Sequence, residues 1–126
     1  MKNIKKTYKI KAEACDVYTA LTNPLTIELW TDSEAVMSTE PNSEFSLFDG
    51  DIVGKNLRFE KDKTIVQQWY FDGEDEDSIV TINLEQKKDV TVVELLHINI
   101  PDEAFENILD GWDNYYFKAI KMLLED

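Results

Sequence analysis

The sequence predicts an α+β fold in which a curled antiparallel sheet packs against one long C-terminal helix. Apolar residues alternate with polar ones over a series of short segments from residue 35 onward, and after Pro101 they recur at three- and four-residue spacing. A strand and two short helices come first, so the predicted order is β-α-α-β(5-6)-α. Because one face of such a sheet must be covered, we expect the last helix to cover it.

The N-terminal segment predicts one strand followed by two helices. Residues 3–11, NIKKTYKIK, alternate apolar residues with lysines, which is typical of a half-buried strand with a basic outer face. Residues 12–22 have apolar residues at helical spacing, and Pro24 ends this helix because the residue before a proline disfavours helical geometry. A second short helix is predicted over residues 25–30.

A run of strand candidates fills the middle of the chain, joined by short turn segments as in antiparallel hairpins. In one of them Val80, Ile82 and Leu84 share one face and Thr81 and Asn83 the other, so this strand is expected to have one wet side. The six candidates are AVMST (35–39), SEFSLF (43–48), DIVGKNLRFE (51–60), KTIVQQWYF (63–71), SIVTINLEQ (78–86) and VTVVELLHINI (90–100).

The last helix is predicted over residues 102–124. Gly111 interrupts it, and a glycine there costs about 1 kcal/mol relative to alanine. We therefore expect either that the long helix begins near Gly111 or that another backbone approaches it closely. The predicted apolar stripe consists of Phe105, Ile108, Leu109, Trp112, Tyr115, Tyr116, Ala119, Ile120 and Leu123.

Composition and charge limit the classes of partner. The 126 residues, 43% of them hydrophobic, predict a single domain, residues 1–126, around one core. Thirteen basic and twenty-six acidic residues give a net charge of −13, which repels phosphate backbones and anionic membrane surfaces. Nucleic acid and membranes are therefore not expected partners, whereas a basic protein surface is compatible with this charge.

A cytoplasmic location is expected. The one cysteine, Cys15, has no partner for an intramolecular disulfide, and the N-terminal residues lack the apolar run of a signal peptide. No stretch approaches the roughly 20 apolar residues of a membrane span. Cys15 is interpreted as a small packing residue, because no histidine near it in sequence supports a reactive thiol.

Two acidic turns raise the hypothesis of a metal site. Asp49 and Asp51 flank Gly50, but the further oxygen ligands that Ca²⁺ or Mg²⁺ needs are absent nearby. A type I′ turn at Asp-Gly explains them better, with a bulge or tight bend at Gly54. The DGEDED stretch at 72–77 lacks the glycine and glutamate spacing of an EF-hand and predicts a solvated hairpin tip. We predict no metal and no cofactor.

No catalytic motif is recognisable. His97, the one histidine, lies on the last strand candidate with no triad or paired-acid motif to support acid–base chemistry. It is interpreted as a strand histidine that is either satisfied by hydrogen bonds or half-exposed. One histidine and one cysteine cannot fill a tetrahedral zinc site. No catalytic residue is therefore predicted.

Several strings, in order along nearly the whole chain, resemble the family called activator of heat-shock protein 90 ATPase homologue, within the START-like (SRPBCC, Bet v 1-like) helix-grip superfamily. The strings are VYTALTNPLTIELW (17–30), EFSLFDGDIVGKN (44–56), KTIVQQW (63–69), SIVTINL (78–84), LLHINIP (95–101) and GWDNYYFKAIK (111–121). The residues at recognisable family positions are Phe45, Asp49, Gly50, Gly54, Trp69, Pro101, Gly111 and Trp112.

The resemblance is to the C-terminal domain of the co-chaperone, and it implies a helix-grip fold. The basic, asparagine-containing signature of the co-chaperone's N-terminal domain is not found in this sequence. Structural roles are implied for Asp49, Gly50, Gly54, Pro101 and Gly111. Helix-grip folds often keep a ligand cavity between helix and sheet, and the alternative is a filled core. His97 or Tyr116 is expected to be the polar group of such a cavity. Its expected lining is Trp30, Phe45, Trp69, His97, Trp112 and Tyr116.

Three functions stay open on this basis. The first is a non-enzymatic cytosolic domain that binds a protein or a small apolar ligand. The second is a co-chaperone that docks its acidic surface on a heat-shock protein 90 chaperone and stimulates its ATPase. The third is a cyclase- or aromatase-like enzyme, since related helix-grip folds carry out those reactions in their cavity.

Overall fold

The computed structural model describes residues 1–125 and contains one six-stranded antiparallel sheet. The five later strands form a meander and the N-terminal strand pairs with the last one, so the order across the sheet is β1-β6-β5-β4-β3-β2. The strands are β1 (Lys2–Ile10), β2 (Glu44–Leu47), β3 (Ile52–Glu60), β4 (Thr64–Trp69), β5 (Ser78–Lys87) and β6 (Val90–Ile100).

Two short helices connect β1 to β2, as predicted: α1 (Ala14–Thr22) and α2 (Pro24–Thr31). Asn23 separates them, and its side chain accepts a hydrogen bond from the amide of Thr26, which caps α2. The apolar side of α1 is buried: Ala14, Val17, Tyr18 and Leu21, which stand at helical spacing in the sequence, all lie in the core.

The C-terminal helix follows the buried Pro101 and packs on the inner face of the sheet. Its consecutive parts are α3 (Phe105–Asp110), a π-helical segment (Gly111–Phe117) and α4 (Lys118–Leu124). The α+β helix-grip prediction is confirmed by this arrangement. Across residues 1–125, no helix combines the length and the apolar character that crossing a membrane requires.

The alternation within the sheet agrees with the sequence pattern. Val80, Ile82 and Leu84 of β5 are buried, whereas Thr81 is only half-buried and Asn83 is exposed. The inner face therefore carries the core, and the outer face of this strand is wet, as predicted.

One strand candidate, residues 35–39, does not form a strand. It makes a single bridge, in which the backbones of Val36 and Ser46 exchange two hydrogen bonds of 2.9 and 3.0 Å. β2 spans only Glu44–Leu47, so a partner along its free edge finds few backbone groups to pair with. The run after residue 35 thus contains five strands, the lower of the two predicted numbers.

The π-helical segment changes which residues of the C-terminal helix are buried. Its wider turns, with i→i+5 hydrogen bonds, shift the buried stripe relative to an α-helical pattern. Phe117, which the predicted stripe did not include, is fully buried, whereas Tyr115 is 64% exposed and Leu123 is 36% exposed. The prediction that Tyr115 and Leu123 belong to the buried stripe is therefore wrong.

Gly54 does not mark a bulge. It pairs with Phe45 in regular register, and the irregularity of β3 lies between Asn56 and Arg58. A Cβ added at Gly54 would overlap the backbone carbonyl of Gln68 and stand 2.9 Å from the Phe45 ring. The predicted bulge is therefore corrected to a close approach of the neighbouring strand and ring, which leaves no room for a side chain.

Gly111, unlike Gly54, has room for a side chain. The helix begins at Phe105, not near Gly111. Apart from its two chain neighbours and the backbone of the adjoining helix turns, no described atom lies within 4 Å of a Cβ built at Gly111. Both expectations for this glycine are therefore wrong: it begins the π-helical segment and faces open space.

Replacing Gly54 by alanine is expected to lower the free energy of unfolding by about 1–3 kcal/mol or more, because the backbone of β4 must move. Gly111→Ala is the matched control, and it is expected to raise that free energy by up to about 1 kcal/mol, since it removes a helix glycine without a clash. Urea denaturation measures both values. Equal effects of the two substitutions would contradict this account.

Candidate functional site

The space between the C-terminal helix and the sheet is occupied by a chain of aromatic rings. Trp69 of β4 stacks on Trp112 at a centroid distance of 4.8 Å, Trp112 contacts Tyr116 at 4.5 Å, and Tyr116 contacts Trp30 of α2 at 4.8 Å. The six residues expected to line a cavity are all buried in this core, with at most 8% of any one exposed: Trp30, Phe45, Trp69, His97, Trp112 and Tyr116.

His97 joins this ring cluster to the sheet through a directed chain of hydrogen bonds. The indole Nε1–H of Trp112 donates to Nδ1 of His97 at 3.1 Å. An indole can only donate, so Nδ1 is the unprotonated acceptor and the Nε2–H of His97 donates to Oγ of Ser78 at 2.8 Å. The Ser78 hydroxyl in turn donates to the carbonyl of Ile98 at 3.1 Å. Each donor in the chain thus has its acceptor.

This geometry keeps His97 neutral. Burial lowers the pKa of His97 to about 3, and its side chain is 0% exposed. A proton on Nδ1 would also point at the Nε1–H of Trp112, which would break that hydrogen bond. His97 is therefore the satisfied strand histidine of the prediction, and neither nitrogen is free to exchange protons with a substrate.

The other buried indoles are satisfied as well. Trp30 donates to the carbonyl of Ala20 at 2.7 Å, and Trp69 donates to the side-chain oxygen of Gln67 at 3.2 Å. The side-chain amide of Gln67 in turn donates a hydrogen bond to the side-chain oxygen of Asn56 at 3.0 Å. Sequence analysis did not single out Gln67 or Asn56, although two polar residues inside apolar strands were a visible signal of a buried polar contact.

An open cleft of about 550 Å³ lies beside this cluster, between the C-terminal helix and the β2–β3 hairpin. The hairpin contributes one wall, the end of β4 contributes Trp69, and successive turns of the helix contribute the other wall. We call it the hairpin–helix cleft. Its lining consists of Phe48, Asp51, Ile52, Trp69, Asn107, Ile108, Gly111, Trp112, Tyr115 and Tyr116.

Three of the residues expected to line a cavity, Trp69, Trp112 and Tyr116, line the hairpin–helix cleft. Trp30, Phe45 and His97 belong to the core and are not part of the lining. Sequence analysis does not find the hairpin side of the cleft, because the FDGDI string predicts only a turn. The alternation that ends at Phe48 and resumes at Ile52 was the available signal.

Tyr116 contributes a polar side chain to the lining of this cleft. Its side chain is 3% exposed and lines the cleft. Its hydroxyl has no hydrogen-bond partner among residues 1–125, so the hydroxyl oxygen is not fully enclosed by the protein. Burial raises the pKa of this hydroxyl well above its ordinary value. The group therefore stays protonated and can donate a hydrogen bond toward the cleft.

The β2–β3 turn confirms the Asp-Gly turn prediction. The amide of Asp51 donates to the carbonyl of Phe48 at 3.1 Å, and the two central residues, Asp49 and Gly50, have φ of 55° and 93°. Positive φ at both positions is the signature of a type I′ turn. Phe48 also has a positive φ, of 54°, and its ring packs on Trp30 in an edge contact of 5.9 Å.

The acidic groups of the described chain do not converge on a cation site at either predicted turn. Across residues 1–125, the one group of three liganding atoms within 4.8 Å of one another is Glu13, Cys15 and Asp16, all exposed. Cys15 is therefore not the packing residue of the prediction. Local desolvation and the carboxylates of Asp16 and Glu13 raise the pKa of its thiol, which makes it a weaker nucleophile.

Comparison with known proteins decides the family. The sequence model of the family described as Activator of Hsp90 ATPase homolog 1-like protein matches residues 11–125. The chain belongs to this family. The resemblance drawn from the sequence strings is thereby confirmed.

Members of the Hsp90 activator family from distant organisms are similar to this chain. The Activator of 90 kDa heat shock protein ATPase homolog of Dictyostelium discoideum is 32% identical over 124 residues, which cover 92% of this chain and 32% of that protein. Homolog 1 of Homo sapiens is 27% identical over 120 residues, 94% of this chain and 35% of that protein. The chain thus spans about a third of the length of these curated relatives.

The fold of a solved member is also close. The crystal structure of an HSP90 activator from Plasmodium falciparum superposes with a TM-score of 0.90 at 25% identity, and the match covers 98% of this chain and 96% of that chain. This agreement supports the six-stranded sheet with its clasped helix as the family architecture.

Protonation of His97 is expected to couple stability to pH. The unfolded chain binds a proton at His97 near pH 6.5, but the folded chain does so only near pH 3, so stability present above pH 6.5 is lost as the pH falls. Relative to His97→Gln, which cannot titrate, the wild type should lose about 2 kcal/mol between pH 7 and pH 5. Urea denaturation at both pH values measures the difference, and parallel losses in the two proteins would contradict it.

Proposed function

We propose that this chain is a non-enzymatic binding domain of the Hsp90 activator family, spanning residues 1–126 and acting in the cytosol, which holds a small apolar ligand in the hairpin–helix cleft. The observation that carries the proposal is the cleft itself, about 550 Å³ in volume and lined largely by aromatic and aliphatic side chains. That volume lies within the range of small-molecule sites, which run from roughly 300 to 1,000 Å³.

The polar groups of the cleft are few, as in sites that orient an apolar ligand. The hydroxyl of Tyr116 and the side chains of Asn107 and Asp51 stand among the apolar lining. The one histidine lies outside the cleft with both nitrogens engaged, which supports a binding function without catalysis.

A neutral naphthyl compound, 2-(2-naphthyl)ethanol, is expected to bind wild-type protein saturably, because its ring matches the aromatic walls. Gly111→Ala adds a methyl group to one wall without disturbing the fold and should weaken binding about tenfold. The readout is the NMR shift of the Trp112 indole N–H, recorded against ligand concentration.

Lys118→Ala is the matched control for this experiment, because Lys118 lies on the same helix but is exposed and outside the cleft. Its affinity should stay within about twofold of the wild type. A titration without saturation, or a Gly111→Ala protein that binds like the wild type, would refute the cleft as the binding site.

A second candidate is a co-chaperone function, and the family membership is the observation that favours it. Curated relatives of which this chain spans about a third are named as activators of the 90 kDa heat shock protein ATPase. The net charge of −13 suits docking on a basic surface of such a chaperone.

The co-chaperone function predicts that this chain raises the ATPase rate of the Hsp90-class chaperone of its own organism. Because the contact would be electrostatic, stimulation should be greatest at 50 mM salt and fall severalfold by about 300 mM. A coupled ATPase assay with purified proteins measures the rate, and a specific Hsp90 inhibitor defines the background. Unchanged turnover at low salt would exclude this function for the chain alone.

A further inference from the structure

The hairpin–helix cleft is lined by negative charge and not by positive charge. Its one charged lining residue is Asp51, and no lysine, arginine or histidine of the described chain contributes to its wall. Five of the lining side chains are aromatic, and they are Phe48, Trp69, Trp112, Tyr115 and Tyr116. The cleft therefore offers a ligand π faces, one carboxylate, the side-chain amide of Asn107 and the hydroxyls of two tyrosines, and its lining includes no positively charged group.

These groups favour a positive charge on the ligand. The faces of tryptophan and tyrosine rings attract cations through their quadrupole, most strongly where water is displaced. A carboxylate at the edge of the same surface adds an ionic partner, which here is Asp51. The net charge of −13 also raises the concentration of organic cations near the protein and lowers that of anions.

The exposure of Tyr115 fits the same chemistry. Its side chain is 64% exposed although it stands on the cleft wall, so its ring is not needed by the core. Tyr116, at the next position, also lines the cleft, and its ring packs against Trp30 and Trp112. Its hydroxyl has no hydrogen-bond partner among residues 1–125 and is not fully enclosed. One tyrosine thus presents an exposed ring to a ligand, and the other adds a hydroxyl that has no partner among residues 1–125.

We propose that the hairpin–helix cleft selects small organic cations, in which an aromatic or aliphatic group carries an ammonium or guanidinium group, with Asp51 as the counter-ion. This inference rests on the proposed binding function of the cleft and specifies its ligand class. The apolar part of the ligand packs between Ile52, Ile108 and the rings, and its charged end lies toward the hairpin, where Asp51 stands.

The test uses three naphthyl compounds that differ only in the group at the end of one ethyl linker. These probes are 2-(2-naphthyl)ethylamine, which is an ammonium ion at pH 7, the neutral 2-(2-naphthyl)ethanol and the anionic 3-(2-naphthyl)propanoate. Each is titrated into the full chain at low salt, with the Trp112 indole N–H as NMR reporter. The ammonium compound should bind roughly tenfold more tightly than the alcohol, and the carboxylate most weakly.

The chain offers a matched pair of variants on one turn. Asp51→Asn removes the carboxylate of the cleft, whereas Asp49→Asn removes the same charge from a neighbouring residue that does not line it. Neither side chain makes a hydrogen bond to residues 1–125, and asparagine tolerates the positive φ of 55° at position 49. Asp51→Asn should reduce the affinity for the ammonium compound about fivefold more than it reduces the affinity for the alcohol, and Asp49→Asn should change neither affinity by more than about twofold.

The outcomes separate this inference from the proposed function. If the alcohol binds but the ammonium compound binds no better, the cleft is a binding site and the cation preference is refuted. If Asp49→Asn weakens the ammonium compound as much as Asp51→Asn does, the preference comes from net charge and the role of Asp51 is refuted. If none of the three compounds shifts the reporter, the proposed function fails and this inference fails with it.

Discussion

The buried indole of Trp112 needs both apolar contacts for its ring and a hydrogen-bond acceptor for its N–H, and the centre of the structure supplies both. Its ring needs apolar surface, which Trp69 and Tyr116 supply, and its N–H needs an acceptor, which is Nδ1 of His97. The packing of the Trp112 ring on Trp69 holds the C-terminal helix against the sheet. The hydrogen bond to His97 fixes the rotation of that helix, because the acceptor lies at one position on β6.

The same hydrogen bond decides the chemistry of His97. Its Nδ1 accepts and its Nε2–H donates to Ser78, so the histidine acts as a neutral spacer between the helix and β5. An imidazole in this position can hold two elements together, but it cannot act as an acid or base without breaking one of its bonds. A residue that sequence alone marks as the obvious acid–base candidate is thus part of the structural core.

Much of the fold could be predicted from periodicity because the elements are amphipathic in a simple way. Every apolar residue that the period of two in β5 and the helical spacing in α1 assign to the core is buried. The C-terminal helix departs from its prediction at Tyr115 and Phe117, because the prediction uses one α-helical period and the helix contains π turns. The prediction for Gly54 is wrong because the constraint on this residue comes from Gln68 on another strand, a contact that no local pattern contains.

The candidate site was only half predictable for a similar reason. Trp69, Trp112 and Tyr116 could be chosen from residue type, since large aromatic residues dominate both cores and clefts. Their environment decides which part of each ring faces the cleft, and that depends on how the β2–β3 hairpin closes beside the helix. Phe48 and Asp51 line the cleft because the hairpin packs beside the helix. The hairpin sequence predicts its turn, but it does not predict that packing.

The wide turn of the C-terminal helix has a further consequence for the design of this surface. Without Tyr115, the buried residues Trp112, Tyr116, Phe117 and Ile120 would follow one another at the spacing of an uninterrupted α-helix. The helix therefore carries one residue more than its packing requires, and that surplus residue is displayed beside the opening. Because Tyr115 is not packed in the core, residues of other size and polarity can replace it. Such replacements would change the chemistry at the mouth of the cleft and leave the core packing intact.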